Sequence, residues 1–390
     1  MQFVVIGHPE TSRVIEFCEA ARDGGLPAPI VIPWHEVLHG RFDWIDQLPP
    51  GARIRIESPG RNWPTELKLL KLGADEPDEE ENLASSRFRF TLDELDQLSE
   101  TPGRILALRQ WFLGWRRVLT SLATAVADRG FHANWTSPPD DITALFDKEA
   151  CQARLTGAGC PMPPSLGVPA NFEDLYEQMR AVRRSRVILK SCHSSSASCA
   201  VALEFSGNRI QAFSTVDLVD HPQGLRLYNV RPGRWYRDLA NVRRLVDAVC
   251  LERVQAQVWI PKLGWGQKRV DLRVATIGGR ARHTVVRLSS TPFTNLQLHN
   301  SRGDLEAFRS AFGEATLEIA WEAAERVAQC FPRCLHLGID VALTSRSDRA
   351  WILEANAFGD YLPNCLAEGW NTHRWQIETL RNSYVSAIGR

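Results

Sequence analysis

The stretch LHLGIDVALTSRSDRAWILEANAFGDYLPN, residues 335–364, decides the fold of this chain. Apolar residues alternate with small or polar ones over residues 337–344, which is the pattern of a half-buried β-strand. Residues 345–349 are polar, and residues 351–356 form a second apolar run. Two such runs joined by a short polar turn predict an antiparallel β-hairpin.

The register of this hairpin would bring acidic side chains together. If the hairpin is symmetric about Ser347, Asp340 lies directly opposite Glu354. Since side chains alternate between the two faces of a strand, the odd-numbered positions of both strands then form one apolar face. The even-numbered positions place Asp340, Glu354 and Asn356 together on the other face.

Two carboxylates that face each other across strands repel, because their Cβ atoms lie roughly 5 Å apart. A divalent cation between them would remove this cost. Oxygen ligands from Asp, Glu and Asn suit Mg²⁺, which usually keeps water ligands and also binds substrate phosphates. The alternative is a solvated acidic edge of the hairpin. The hairpin alone does not distinguish the two, so other motifs in the chain decide between them.

Length and composition are those of a globular protein with two or three domains. The chain has 390 residues, of which 44% are hydrophobic and 24% are charged. No run is long and apolar enough to span a bilayer, and MQFVVIGHPE at the start predicts a first strand rather than a signal peptide. The net charge of zero argues against broad binding to nucleic acid. We therefore expect neither a membrane nor a nucleic acid as partner.

The nine cysteines are scattered along the chain and include no CxxC pair. Cys330, Cys334 and His336 are close in sequence but lack a fourth ligand at zinc spacing. The simple interpretation is a cytoplasmic protein whose thiols are reduced.

Lysine is rare in this chain. Six of the 46 basic residues are lysines, which leaves 40 arginines. A site that needs a compact, flexible point charge cannot accept the rigid guanidinium fork of arginine, so the remaining lysines are candidates for such a site. Two of them, Lys68 and Lys71, are equally consistent with exposed helix positions. The six are Lys68, Lys71, Lys148, Lys190, Lys262 and Lys268.

The first part of the chain predicts a parallel sheet. Apolar runs at residues 3–6 and 30–32, separated by a helical pattern, form a βαβ opening, and RIRIE at residues 53–57 predicts a third strand. No G-x-G-x-x-G follows the first strand, so a dinucleotide fingerprint is absent. Residues 104–128 predict a long helix, and TSPPDD at residues 136–141 predicts a linker and a domain boundary.

The rest of the chain predicts both helices and strands. Residues 141–156 predict one amphipathic helix, and residues 304–330 predict another. Residues 186–190 predict a strand that is followed by a loop of small residues and a further strand. Residues 251–261 predict another strand, and residues 271–288 predict a hairpin with a glycine turn.

A lysine at a strand end and the loop of small residues after it form a second candidate site. Lys190 ends the strand, and residues 194–198 read SSSAS. Small side chains let backbone N–H groups approach phosphate oxygens, and the ammonium group adds charge. Lys148 could supply a second ammonium group. The alternative is a serine-rich surface loop.

Together these features resemble the ATP-grasp superfamily, which includes D-alanine–D-alanine ligase, glutathione synthetase and the ligases that add glutamate to a ribosomal protein. The resemblance covers residues 141–363, and its most specific part is GIDVAL…WILEANAFG, which looks like the metal hairpin of the family. FDKEACQARLTGAGCPMPP is similar to the Asp-Lys helix of the family. VILK with its following loop is similar to the phosphate loop, and QVWIP to the adenine strand.

The resemblance implies ATP and Mg²⁺ as cofactors and gives roles to the candidate residues. The implied metal ligands are Asp340, Glu354 and Asn356. The implied nucleotide contacts are Lys148 and Lys190 on the phosphates, Ser194, Ser195 and Ser196 in the loop, and Gln257, Val258 and Ile260 on the adenine base. For Gln257, the alternative is a strand residue that is bonded to solvent.

Residues 270–304 resemble the substrate and triphosphate region of the glutathione-forming and glutamate-adding branches. Arg273, Arg287 and Asn295 are at positions where those branches hold phosphate or carboxylate, so they are the catalytic candidates. The segments RIESPG, RQWFLGW, SSSAS and RHTVVR…TNL are similar to one bacterial group of ATP-grasp proteins.

Several positions depart from the family pattern. The phosphate loop of the family is glycine-rich, whereas residues 193–199 contain no glycine. Cys199 and His299 stand where glycine is expected, and Gly338 stands where several ligases carry an arginine just ahead of the metal aspartate. Arg287 is then the best candidate for the cation that stabilises the intermediate.

The resemblance implies an α/β (α+β) protein with the ATP-grasp fold. Residues 1–138 would form an N-terminal Rossmann-like domain, residues 139–256 a small lobe with the phosphate loop, and residues 257–390 a lobe with the metal and substrate site. The implied activity is an ATP- and Mg²⁺-dependent ligase that joins a carboxylate to an amine through an acylphosphate, on small molecules or peptides. The alternatives are a small-molecule kinase on the same fold, or a nucleotide-binding protein with little turnover.

Overall fold

Three β-sheets organise the chain in the computed structural model, which describes residues 1–60, 62–77, 89–131, 134–207, 209–346 and 348–388. The first sheet has four strands and is parallel, whereas the second and third have six strands each and are antiparallel. The predicted α/β (α+β) class is confirmed. No helix among the described residues has the length and apolar character that crossing a membrane requires.

The first sheet is the parallel sheet that the βαβ opening predicts. Its part of the chain contains β1 (Phe3–Gly7), α1 (Ser12–Asp23), β2 (Ile30–Pro33), α2 (Trp34–Leu38), β3 (Arg53–Ile56), α3 (Trp63–Ala74), α4 (Leu92–Asp96), α5 (Leu108–Asp128) and β4 (Asn134–Trp135). The strand order is β2-β1-β3-β4. Both faces of β1 are buried, since Val4 and Ile6 pack in one apolar cluster and Phe3 and Val5 in another.

The second sheet carries the loop of small residues. This part of the chain contains α6 (Pro139–Phe146), α7 (Lys148–Gly157), β5 (Ser165–Gly167), α8 (Phe172–Ala181), β6 (Arg186–Ser191), β7 (Ala200–Ser206), β8 (Arg209–Val219), β9 (Arg226–Tyr236), α9 (Leu239–Cys250) and β10 (Val254–Val258). The strand order is β5-β10-β6-β7-β8-β9. Val187 and Leu189 of β6 pack into the core beneath α8 and α9. Because side chains alternate along a strand, Lys190 belongs to the opposite face.

The third sheet contains both hairpins that the sequence predicts. Its elements are β11 (Gly264–Trp265), β12 (Lys268–Ile277), β13 (Arg280–Ser289), β14 (Ser301–Gly303), α10 (Leu305–Phe312), α11 (Glu314–Cys330), β15 (His336–Leu343) and β16 (Ala350–Asn356), and α12 (Thr372–Ile388) follows. The strand order is β14-β13-β12-β15-β16, and β11 pairs with β12. Residues of α12 return to the first sheet, where Ile377 and Leu380 pack with Phe3, Val5 and Phe17.

The domain boundaries at 138/139 and 256/257 stay predictions. The main apolar core contains residues of the first and the third sheet, for example Ile6 and Ile54 together with Val274 and Ile339. Strand β10 belongs to the second sheet and includes residues on both sides of position 256/257.

The prediction of one helix over residues 141–156 is wrong, because this stretch forms α6 and α7. Asp147 separates them with an extended backbone (φ −80°, ψ 102°), and its carboxylate accepts hydrogen bonds from the N–H groups of Glu149 and Ala150, both at 3.1 Å. These bonds satisfy N–H groups that a helix start leaves without a partner, so Asp147 begins a new helix directly before Lys148.

The single helix predicted over residues 304–330 is also two helices, α10 and α11. Gly313 separates them with φ 86° and ψ 158°, a conformation that only glycine adopts readily. The long helix predicted from residue 104 starts at Leu108, because Ala107 has a left-handed backbone with φ 32°.

The register predicted for the β15–β16 hairpin holds at the acidic pair. Asp340 pairs with Glu354, and Ile339 pairs with Ala355. Ser347, the predicted centre of symmetry, lies outside the described residues.

Between this pair and the turn, the register shifts by one residue at a β-bulge. Val341 pairs with Ile352, and Leu343 with Ala350. The even-numbered Ala350 and Ile352 are therefore buried in the core, whereas the prediction that all odd-numbered positions form the apolar face is wrong at Trp351 and Leu353. An extra residue in one strand moves the side chains of that strand on the turn side of the bulge to the opposite face.

Gly338 lies where two backbones touch, which explains why no arginine stands just ahead of Asp340. A Cβ atom at position 338 would come within 2.3 Å of Gly359 Cα, and one at position 359 within 2.4 Å of Gly338 Cα. Backbone atoms on both sides cannot move aside as a flexible side chain could.

We expect Gly338→Ala to lower the free energy of unfolding by about 2 kcal/mol or more, since forcing extra atoms into a packed site typically costs 1–3 kcal/mol. Chemical denaturation measures this change. Gly157→Ala is the matched control, because it lies in helical backbone with open space around the added Cβ. That variant should be at least as stable as the wild type. Unchanged stability of Gly338→Ala would contradict the packing described here.

Candidate functional site

Two adjoining cavities lie between the second and third sheets. We call the smaller one, of about 80 Å³, the inner cavity; Ile188, Lys190, Gln257 and Ile260 are part of its wall. The larger one, of about 1150 Å³, is the outer cavity and reaches the first sheet. All fourteen predicted site residues line one or both cavities. The residues that line both are Lys148, Ser194, Ser198, Arg287, Asn295 and Glu354.

Asp340 lies at the centre of a charge network on the third sheet. Its strand β15 is between β12 and β16, so Asp340 pairs with Arg273 on one side and with Glu354 on the other. The Nε atom of Arg273 is 2.5 Å from Oδ1 of Asp340, and an Nη atom of Arg287 is 3.0 Å from Oδ2. The Oδ1 atom is buried and accepts no hydrogen bond of acceptable geometry from the residues that the structure describes, so it retains capacity for another ligand.

Arg287 joins Asp340 to a second buried carboxylate. Its Nε donates to Oδ1 of Asp271 at 2.7 Å, and Oδ2 of Asp271 accepts from Lys262 at 2.9 Å. Thr294 also donates to Asp271. The charges of Arg287 and Lys262 hold the pKa of Asp271 below its usual value despite burial, and Asp271 and Asp340 raise the pKa of Arg287.

Lys262 and Asp271 line the inner cavity; sequence reasoning named Lys262 only as one of six candidate lysines and did not single out Asp271. The scarcity of lysine was a usable signal for Lys262.

Two lysines of the second part of the chain reach the acidic hairpin. Nζ of Lys148 is 3.3 Å from Oε1 of Glu354, and Nζ of Lys190 donates to the carbonyl oxygen of Leu353 at 2.9 Å. Burial lowers the pKa of Lys190 to about 8, although Glu354 opposes this shift. The predicted neighbours Lys148, Lys190 and Glu354 are thus brought together.

The loop after Lys190 is held by its own side chains and by β8. The hydroxyl of Ser194 donates to the carbonyl of Ser198 at 3.0 Å, and Thr215 donates to the carbonyl of Ala197 at 2.7 Å. Lys148 donates to the carbonyl of Ser194. Three residues have left-handed backbones: Ser196 at φ 59°, Ala197 at φ 57° and Cys199 at φ 53°.

A buried histidine connects this loop to two helices, and sequence reasoning missed it. Nε2 of His193 lies 3.1 Å from Oδ2 of Asp147, the residue that begins α7, and 3.0 Å from a guanidinium nitrogen of Arg109 on α5. Its ring stacks on Phe112 with centroids 4.2 Å apart. Burial lowers the pKa of His193 to about 4, so the ring is neutral at pH 7. This cluster fixes the start of the helix that carries Lys148.

The wall around Gln257 suits a flat, partly apolar group. Val258, Ile260 and Ile188 line the inner cavity there. Gln257 is buried, and its amide N–H donates to Gln152. Its amide oxygen can accept a hydrogen bond from another group. The N–H of Val258 donates to the carbonyl of Pro164 at 2.9 Å, so a ligand contact from the backbone of Val258 would use its carbonyl.

The oxygen atoms near the hairpin fit Mg²⁺ in chemical type. Asp340 and Glu354 line the inner cavity, and Glu354 and Asn356 the outer one. Among the described residues, no three His, Cys, Asp or Glu side chains gather as a metal cluster. A metal here would therefore depend on oxygens of water and a bound ligand, which is the way Mg²⁺ usually binds.

Comparison with known proteins rests on structure alone. No family model matches the sequence, and no curated protein matches it. The crystal structure of D-cycloserine synthetase DcsG is similar with a TM-score of 0.54 and 12% identity, over 98% of this chain and 99% of that one. The ATP-grasp ligase PsnB, complexed with a phosphomimetic variant of its minimal precursor, Mg and ADP, has a TM-score of 0.49 and 14% identity, over 98% of both chains.

A third similar structure is macrocyclase MdnC from Microcystis aeruginosa MRC, bound with precursor peptide MdnA. Its TM-score is 0.49 at 12% identity, over 98% of this chain and 100% of that one. At such identities the likeness concerns the fold.

We expect Asp340→Asn and Glu354→Gln to differ strongly in stability. Asp340 is buried against two guanidinium groups, and removing one partner of a buried ion pair typically costs about 3 kcal/mol or more. Glu354 is 22% exposed, and Lys148 is its ion-pair partner among the described residues, so Glu354→Gln should cost less than about 1 kcal/mol. Denaturant titration of both variants checks this, and equal costs would contradict the described charge network.

Proposed function

Because the chain has the ATP-grasp fold, we propose that it is an ATP- and Mg²⁺-dependent ligase that joins a carboxylate to an amine. One observation carries the proposal. Asp340 and Glu354 face each other beside two cavities. Lys148 of helix α7 and Lys190 of strand β6 both reach β16, the strand that carries Glu354. Opposed carboxylates with ammonium groups next to them are what a metal-bound triphosphate requires.

The inner cavity is the proposed nucleotide site. Its apolar wall with Val258 and Ile260 would hold the adenine base, and Gln257 would contact the edge of the base. Lys148 and Lys190 would bind phosphate oxygens as point charges, and the small residues 194–196 let backbone N–H groups approach them. Six of these residues line the inner cavity, and Ser195 and Ser196 line the adjoining outer cavity, which supports this arrangement.

Asp340, Glu354 and Asn356 would hold Mg²⁺, which neutralises charge on the β- and γ-phosphates when it is bound. Lys148 already lies beside Glu354, so it would keep the γ-phosphate close to that carboxylate. Arg273 and Arg287 would lose part of their pairing with Asp340 to the metal and could then bind the substrate carboxylate.

In the proposed reaction, an oxygen of the substrate carboxylate attacks the γ-phosphorus and ADP leaves. The product of this step is an acylphosphate. An amine then attacks the acyl carbon, the bond from that carbon to the phosphate oxygen breaks, phosphate leaves, and the amine nitrogen loses a proton to solvent. Arg287 is buried and retains Asp271 as a partner, so it is positioned rigidly to stabilise the oxyanion that develops. Asn295 lines both cavities and would contact the transferred phosphoryl group.

The outer cavity would hold the carboxylate and the amine. Its volume of about 1150 Å³ is above the usual range of roughly 300–1,000 Å³ for small-molecule sites, and it also contains part of the phosphate region. A small molecule or the end of a peptide fits this space.

A nucleotide-binding protein with little turnover is the second candidate function. The observation that favours it is the loop without glycine, in which Ser196, Ala197 and Cys199 have left-handed backbones. Side chains at such positions restrict the movement of a loop. A kinase on the same fold would instead transfer phosphate to a product that stays phosphorylated.

We expect purified protein to release ADP and phosphate only when ATP, Mg²⁺, a suitable carboxylate and an amine are all present. A panel of carboxylates with hydroxylamine as a general acceptor tests this, since an acylphosphate gives a hydroxamate. Glu354→Gln should reduce the rate by at least about 100-fold, the size of a typical loss of electrostatic stabilisation. Glu322→Gln, an exposed position on α11, is the matched control.

Other outcomes separate the alternatives. A stable phosphorylated product without free phosphate would mean a kinase. Binding of Mg²⁺-ATP without turnover on any carboxylate would mean a nucleotide-binding protein.

We expect kcat/KM for ATP to fall as the pH rises through about 8. The pKa of Lys190 is lowered to about 8. Its amine is therefore protonated and charged below that pH, and it loses the proton and the charge above it. Because kcat/KM reports the free protein, its pH profile should show this group directly. In Lys190→Arg the guanidinium stays charged, so the fall should disappear whatever the absolute rate. A wild-type profile that is flat between about pH 7 and 9.5 would rule out this role of Lys190.

A further inference from the structure

Cationic side chains outnumber carboxylates on the wall of the outer cavity. Among the residues that the structure describes, seven cations line it, against three carboxylates. The cations are Arg13, Arg104, Lys148, Arg231, Arg273, Arg287 and Arg302. The carboxylates are Glu66, Glu100 and Glu354.

Four of the seven cations have carboxylate partners. Arg13 contacts Glu57 at 3.3 Å and Asp360 at 2.8 Å, both of them buried. Arg273 and Arg287 share Asp340, and Lys148 contacts Glu354. These cations are part of the framework or of the proposed catalytic machinery.

The other three are Arg104, Arg231 and Arg302. Within the described part of the chain, no carboxylate oxygen lies within 4.0 Å of their guanidinium nitrogens. Arg302 donates to the carbonyl oxygen of Pro363 at 2.7 Å, which leaves its charge uncompensated.

These three arginines reach the cavity from separate elements. Arg104 precedes α5, Arg231 is on β9 of the second sheet, and Arg302 is on β14 of the third. Residues 103 and 104 are joined to β9 by the bond from Asn229 N–H to the carbonyl of Gly103 at 2.7 Å and by the bridge between Arg104 and Tyr228. The backbone at Arg104 and at Arg231 is therefore held by hydrogen bonds of β9, which favours a site that is formed before a ligand binds.

The three arginines are also separate from the proposed nucleotide site. Of the described residues, the cations that line the inner cavity are Lys148, Lys190, Lys262 and Arg287, so the three arginines are not part of its wall. The phosphates of a nucleotide therefore have their own set of charges, so the arginines remain for another ligand. A concave wall with one sign of charge concentrates ligands of the opposite sign. The planar guanidinium fork matches carboxylate and phosphate oxygens in pairs.

We propose that the carboxylate substrate carries a further anionic group, a second carboxylate or a phosphate, which takes no part in the reaction and is bound by Arg104, Arg231 and Arg302. The proposal rests on the proposed function, in that the reacting carboxylate would lie at Arg273 and Arg287. The second group would then fix the substrate in the outer cavity and select it against monoanionic acids.

Matched pairs of carboxylates test the proposal in the full-length protein. Glutarate is compared with glutaramate, and succinate with succinamate, so that an amide replaces the second carboxylate. 3-Phosphoglycerate is compared with glycerate as the arm for phosphate. Hydroxamate formation with Mg²⁺-ATP and hydroxylamine gives kcat/KM for each acid. Calorimetric titration of the same acids, with Mg²⁺ and a non-hydrolysable ATP analogue, gives their affinities without turnover.

We expect at least one probe with a second anionic group to bind and react about tenfold or more better than its partner, since a charge-assisted contact is worth about a factor of ten. The pair that shows the preference identifies the second anionic group of the substrate as a carboxylate or a phosphate. Each of the variants Arg104→Gln, Arg231→Gln and Arg302→Gln should bind the preferred acid about tenfold more weakly. The triple variant should no longer distinguish the two members of a pair. The affinity for the ATP analogue should not change.

Arg243→Gln and Arg244→Gln on α9 are the matched controls, because these exposed arginines contact Glu173 and Asp220 and do not line the cavity. If Arg302→Gln fails to fold, Arg302→Lys keeps the charge, and the other two variants still test the site.

Equal affinities for both members of every pair, or a preference that survives in the triple variant, would overturn the proposal. Failure of the ligase function is distinguishable from this result. It would abolish hydroxamate formation with all acids, while the calorimetric preference and its loss in the variants would still decide the anion site.

Discussion

The site depends on the way in which buried charges around Asp340 and Glu354 are balanced. Two carboxylates in register on neighbouring strands repel, yet both are held in place, Asp340 by two guanidinium groups and Glu354 by an ammonium group. Arg273 reaches Asp340 from β12 and Arg287 from β13, so the charges also link adjacent strands. Lys148 adds a contact from α7. The ion pairs that stabilise the acidic hairpin therefore link strands within the third sheet and tie α7 to it, and the hydrogen bond from Lys190 to the carbonyl of Leu353 connects the second sheet to the third.

The fold was predictable where the side-chain period alone decides it. Symmetry of the hairpin about its polar turn placed Asp340 opposite Glu354, and the alternation of side chains put both on the same face. The alternation of residue types does not reveal the β-bulge beside this pair. The predicted apolar face was therefore wrong from Trp351 to Leu353. Each over-long helix contained the residue that ends it, Asp147 or Gly313. Periodicity continues across a single break, so local capping and backbone preferences had to decide there.

The site was predictable from residue types and resemblance as far as the cavity walls, but its supporting contacts were not. All fourteen predicted site residues line the two cavities, and the scarcity of lysine drew attention to Lys262 as well. The cluster of His193, Asp147 and Arg109 joins residues that are 46 and 84 positions apart. Such contacts arise only when the first and second parts of the chain pack together. Asp271 was missed for the same reason, because its partners come from neighbouring strands and loops.

The loop without glycine has the backbone that glycine would favour. Ser196, Ala197, Cys199 and, in a separate loop, His299 all have φ between 53° and 63°. A left-handed backbone costs a non-glycine residue roughly 1–2 kcal/mol, and such residues persist only where their surroundings determine them. Here Thr215 and Ser194 hold the carbonyls of the loop, and Cys199 is fully buried. Replacing glycine by these residues therefore leaves the course of the loop intact and removes its freedom to move. A loop that is already shaped loses less conformational entropy when a phosphate binds, so the departure from the glycine-rich pattern is compatible with tight binding of a nucleotide.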